Sequence, residues 1–77
     1  MKNPKIISTN SIYNLSEREQ VHLLQSLLNE YGDNLILDWF HVEDEYIGIY
    51  YYENNVEKFH KFRYNELNLL LNKSDKW

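Results

Sequence analysis

In the stretch NLSEREQVHLLQSLLNEYGD the apolar positions recur at helical spacing. Val21, Leu24, Leu28 and Tyr31 fall on one face, which Leu23 and Leu27 widen. Ser16 followed by Glu19 forms a capping-box pattern, in which hydroxyl and carboxylate each satisfy an otherwise unpaired backbone N–H. Glu17 and Glu19 also complement the positive start of the helix, and Gly32 fits a left-handed C-terminal stop. The pattern predicts a helix from about Glu17 to Tyr31.

Past Gly32 the period drops to two. NLILDWFHV (residues 34–42), YIGIYYYE (46–53) and VEKFHKFR (56–63) are rich in β-branched and aromatic residues and have strand lengths. The polar loop Glu43-Asp44-Glu45 separates the first two. Asn54-Asn55, whose side chains tolerate positive φ, suits a tight two-residue turn between the others. A second, short helix is expected over about residues 65–72, with Leu67, Leu70 and Leu71 as its apolar stripe. Residues 73–77 read as a loose tail. Residues 1–15 read as an N-terminal arm, in which 5–8 are a candidate edge strand. The chain is thus expected to be one α+β domain over residues 1–77, in the order α-β-β-β-α. The sheet is a small antiparallel three-stranded meander with helices on one face.

Three consecutive tyrosines, Tyr50, Tyr51 and Tyr52, then raise a question, because neighbours on a strand point to opposite faces. A two-residue turn at Asn54-Asn55 sets Glu53 against Val56 and fixes the register beyond it. Ile47, Ile49 and Tyr51 oppose Phe62, His60 and Lys58 on one face, the better candidate for packing under helices. Gly48, Tyr50 and Tyr52 oppose Lys61, Phe59 and Glu57 on the other. The first strand is apolar on both sides, with Leu35, Leu37 and Trp39 alternating against Ile36, Phe40 and Val42. Its register depends on whether the Glu43–Glu45 loop counts two residues or three. Tyrosine tolerates half-burial, and a cross-strand pair such as Tyr50–Phe59 stabilises a sheet by ~0.2–1 kcal/mol. Contiguous exposed aromatic surface, however, usually marks contact. Trp39, Tyr46, Tyr50, Tyr52 and Phe59 are therefore the expected partner-binding surface, toward another protein or a second copy of the chain.

Composition sharpens this picture in two ways. A chain of 77 residues buries only about 60% of its unfolded surface, but two Trp, seven Tyr and three Phe give it a dense core. There is no cysteine, which excludes disulfides and thiolate metal sites. No stretch approaches the ~20 apolar residues of a membrane span, and MKNPKIISTN lacks a signal-peptide apolar region. A cytoplasmic protein without membrane contact is expected. Alanine is absent while asparagine occurs ten times. That usage follows AT-rich codons, as in a low-GC bacterium or one of its phages.

The net charge of −4 is segregated. Ten acidic residues and one basic residue, Arg18, lie between Glu17 and Glu57, whereas Lys58, Lys61, Arg63, Lys73 and Lys76 follow. Such loops are ordinarily just solvated charge. A row of carboxylates can also imitate duplex DNA, which carries one charge per ~1.7 Å of axis. Glu43, Asp44, Glu45, Glu53 and Glu57 are the candidates for that alternative. The hairpin-then-helix pattern of residues 45–72 resembles parts of the small acidic phage inhibitors of uracil-DNA glycosylase, without a diagnostic motif. The resemblance implies an acidic DNA mimic that inhibits a DNA-binding enzyme. Double-stranded-RNA-binding domains share the element order, but RYNELN stands where they carry a basic cluster. A second alternative is single-stranded nucleic acid held by Lys58, His60, Lys61 and Arg63 beside the tyrosines. The acidic remainder of the chain opposes phosphate, so nucleic acid is not the expected partner.

Catalytic chemistry finds little support. His22, His41 and His60 lack the i, i+4 spacing of a helical metal site, so no metal or cofactor is expected. Asp38, between Leu37 and Trp39, becomes a site candidate only if buried. Nucleotide-binding glycine motifs and nucleophile motifs are absent, and so short a chain leaves little room for a pocket of ~300 Å³. The sequence therefore points to a small non-enzymatic protein-interaction module. An inhibitor or regulator of a host protein, encoded by a phage or mobile element, is the expected role.

Overall fold

A computed structural model of the chain describes residues 7–73. Its elements are α1 (Thr9–Tyr13), α2 (Glu17–Tyr31), β1 (Ile36–Val42), β2 (Tyr46–Glu53), β3 (Val56–Arg63) and α3 (Tyr64–Lys73). The three strands form one antiparallel sheet in the order β1-β2-β3. The fold is α+β, as the patterning predicts, with a short extra helix in front.

Helix α2 begins where its capping box places it. The Ser16 hydroxyl accepts from the Glu19 N–H, and the Glu19 carboxylate accepts from the Ser16 N–H. These bonds hold the Glu19 carboxyl below its ordinary pKa. Leu23, Leu24, Leu27 and Leu28 are buried, whereas Val21, expected on the apolar face, is exposed. The buried stripe is centred one position further round the helix than Val21 indicates. Gly32 does not adopt the expected left-handed conformation. It is extended (φ −166°), and Asn34 supplies the positive φ (59°) in the approach to the sheet.

Residues 9–13 of the N-terminal arm are helical, and residues 7 and 8 belong to no strand. Ser8 and Ser11 form a second capping box, and Ile12 anchors the helix in the core. Asn68 clamps Ile7 to α3, accepting from its N–H (2.6 Å) and donating to its carbonyl (3.2 Å). The rest of the proposed edge strand, residues 5 and 6, lies outside the described residues, as does most of the expected tail. Lys73 closes α3 instead of opening that tail.

The core lies between the helices and one sheet face. Ile47, Ile49 and Tyr51 of β2 and Phe62 of β3 pack beneath the buried leucines of α2 and Leu67, Leu70 and Leu71 of α3. Strand β1 carries a β-bulge between Leu37 and Trp39, which explains its two-sided apolar pattern. The extra residue, Asp38, shifts the alternation. Leu37, Phe40 and Val42 consequently pair with the core-facing residues Tyr51, Ile49 and Ile47, while Ile36, Trp39 and His41 join the opposite face. The free edge of β1 is covered by a side chain. Gln25 of α2 accepts from the Leu37 N–H (2.9 Å) and donates to the Leu35 carbonyl (2.8 Å), as a neighbouring strand would.

Candidate functional site: the helix-free face of the sheet

All the helices pack on one side, so the other face of the sheet is uncovered among the described residues. Its side chains form rows across the strands: Ile36–Tyr52–Glu57, Trp39–Tyr50–Phe59, His41–Gly48–Lys61 and, at the far end, Tyr46–Arg63. The five predicted contact residues, Trp39, Tyr46, Tyr50, Tyr52 and Phe59, all stand on this face. The Asn54-Asn55 turn fixes that arrangement, with φ of 53° and 67° at its two residues.

The centre of the face is a packed aromatic group. Tyr50 and Phe59 lie 4.6 Å apart between ring centroids, and His41 stacks on Phe59 at 6.1 Å with planes only 10° apart. Tyr46 and Tyr50 flank the same imidazole at 6.1 and 6.3 Å. Gly48 makes this closure possible. A Cβ there would stand 2.4 Å from His41 Nε2 and 3.0 Å from Phe59 Cε1, so rings from both outer strands close over the middle one. His41 and Gly48 were not among the predicted contact residues. Their signals were the glycine inside an aromatic strand and the histidine two residues from Trp39.

The two ends of the face carry opposite charge. At one end the Lys61 ammonium sits 5.1 Å from the Tyr46 ring centroid, with Arg63 paired to Tyr46 across the strands. Neither cation has a carboxylate at ion-pair distance among the described residues. At the other end Glu57 lies beside Asp38 at the bulge, and the hydrogen bond its protonated carboxyl can donate to Asp38 raises the Glu57 pKa above its ordinary value. The two carboxylates, Asp38 foremost, also push the Tyr52 hydroxyl upward. Asp38 itself is exposed, so it is not the buried carboxylate that would have marked a site.

The acidic alternative is divided by the sheet. Glu43, Asp44 and Glu45 occupy the β1–β2 loop, whereas Glu53 and Glu57 flank the β2–β3 turn, ~25 Å away along β2. Glu43 is paired with His41 (3.1 Å) and Glu53 with Lys58. Of the basic residues grouped for nucleic acid, Lys61 and Arg63 lie on the helix-free face. Lys58 and His60 lie on the other, where His60 packs against Tyr31 and meets Glu66 at 3.3 Å. His41 and His60 are thus separated by the sheet itself. Among the described residues no group of three potential metal ligands occurs. An open cleft of about 330 Å³ is present despite the short chain, beside α2 and lined by Leu15, Arg18, Glu19 and His22. Its carboxylate is already engaged in capping α2. No described helix is long and apolar enough to cross a membrane.

The chain matches no known family profile, no characterised protein and no solved structure.

Proposed function

We propose that the protein is a non-enzymatic protein-binding module whose working surface is the helix-free face of the sheet. The observation that carries this reading is the contiguous exposed aromatic group, with Trp39, Tyr50, Tyr52 and Phe59 all left open on one face of the sheet. Aromatic side chains are enriched where proteins meet, because they bring large rigid area at small entropic cost. A chain of this kind acts by occupying the surface of its partner, which is how an inhibitor or regulator of a host protein would work. A photo-crosslinking phenylalanine analogue placed at Tyr52, with Leu69 on α3 as the control position, tests this in lysate of a low-GC Gram-positive bacterium. Protein adducts of defined mass from position 52, absent from position 69, are expected. No adduct at position 52 would refute the proposal.

A second reading has its own observation. Lys61 over Tyr46, with His41 and Phe59 stacked alongside, is the pairing of cation and aromatic that holds single-stranded nucleic acid. Adducts at position 52 that disappear with nuclease treatment would favour it. The acidic pair Asp38–Glu57 on the same face counts against it, because phosphate would be repelled there.

A further inference from the structure

The charges at the two ends of the aromatic face complement each other. Glu57, Phe59 and Lys61 follow one another along β3 on the helix-free side, so an acid and a base stand symmetrically about an aromatic. Phe59 belongs to the row Trp39–Tyr50–Phe59, the second of the four rows and the one midway between Glu57 and Lys61. We infer that, without another partner, this face closes on a second copy of the chain, about a two-fold axis lying along that row. This inference rests on the reading of the face as an interaction surface and adds how that surface is regulated, since partner binding must then compete with self-closure.

The geometry allows one arrangement and disfavours its rival. An axis along the row reverses the strand direction between the two sheets, within the near-aligned angles at which sheets pack face to face. It sets Trp39, Tyr50 and Phe59 of one copy over the same residues of the other. Each Glu57 then meets the other copy's Lys61, and the contact is made twice, as a two-fold interface requires. An axis parallel to the strands would instead lay β1 over β3, with Asp38 against Glu57. Two carboxylates that already raise a proton affinity within one chain would gain two more beside them.

The face measures roughly 14 Å by 25 Å from strand spacing and rise, ~350 Å² on each copy, so two copies remove on the order of 700 Å² from water. That is below the standard size of a stable specific interface and in the range of weak, transient contacts. Self-closure is therefore expected to be readily reversible, with a dissociation constant in the micromolar range, as an exchangeable cover needs.

Sedimentation over a concentration series tests this with three variants. Glu57→Lys and Lys61→Glu each place like charges at both contacts and should weaken self-association at least ~10-fold. An equimolar mixture of the two should recover a one-to-one complex, because one chain then offers only lysines and the other only glutamates. Trp39→Ser, two strands away from the β3 edge, should also weaken the dimer. A wild-type chain that stays monomeric up to ~1 mM would overturn the inference. So would a mixture that fails to associate, or a dimer insensitive to Trp39→Ser, the mark of pairing through the β3 edge. A monomeric chain that still cross-links to another protein from position 52 would refute self-closure and leave the proposed function standing.

Discussion

Phe59 and Phe62 lie three residues apart on β3 and face opposite sides of the sheet, so truncating each to alanine compares the two faces with one residue type. Phe62 is 1% exposed and Phe59 42%. Removing a buried phenyl ring takes away roughly 110 Å² of apolar burial, ~2.8 kcal/mol at ~25 cal/mol per Å². Phe62→Ala loses all of it and leaves a closed cavity, for a total of ~3–5 kcal/mol. Phe59→Ala loses a little over half, ~1.5 kcal/mol, and its gap opens to water without a cavity penalty. A domain of this size has ~4–12 kcal/mol in all, so Phe62→Ala should remove a quarter of the stability or more while Phe59→Ala stays folded. Urea unfolding followed by far-ultraviolet circular dichroism, on protein dilute enough to be monomeric, reads both. Equal losses would refute the reasoning, because the helix-free face would then be a second core and not a surface.

Three further outcomes follow from single contacts. Gln25→Ala leaves the Leu37 N–H of β1 and the Leu35 carbonyl just before it without their side-chain partner and should lower stability by ~1–2 kcal/mol, read from the urea midpoint. Gly48→Val forces the His41 and Phe59 rings off the middle strand; the fold should persist while the ring-current shifts of Phe59 collapse, and unchanged aromatic proton shifts would contradict the packing described. The Glu57 carboxyl titrates above its ordinary value, so the folded chain binds that proton more readily than the unfolded one. In a Glu19→Gln background, which removes the opposing loss from the depressed Glu19 carboxyl, the Glu57 contribution should therefore rise as pH falls from neutral through the folded value. It should level off once the unfolded chain is also protonated, and comparison with Glu19→Gln/Glu57→Gln melting curves over the same pH range isolates it.

Much of the fold was legible because local chemistry and pattern agreed. The Ser16–Glu19 box and the leucine stripe gave α2 both its start and its buried side. Asn54-Asn55 gave the β2–β3 register, and with it the placement of Tyr46, Tyr50, Tyr52 and Phe59 on one face. The β1 register was hidden by its bulge, since one extra residue at Asp38 moves every side chain after it to the other face. Helix α1 was hidden for another reason. TNSIY has no apolar period, and the segment is held by serine caps, by Ile12 and by Thr9, which bonds to the Asp44 carbonyl and the Tyr64 hydroxyl (3.2 Å each). Such contacts span dozens of residues in sequence and leave no local signature. The role of His41 was masked in the same way, because its stacking on Phe59 depends on Gly48 opening space on a neighbouring strand.

The most direct measurement of the central claim, that the helix-free face is the surface this protein uses, is the accessibility of Trp39. A Trp77→Phe background leaves Trp39 as the only indole, and its exposure is 58% in the single chain. Acrylamide quenching of its emission should be strong in dilute protein. It should fall, with a blue shift, as concentration rises through the micromolar range and the face closes. Quenching that is weak even at the lowest concentration, or that stays constant while sedimentation shows dimers, would contradict the account.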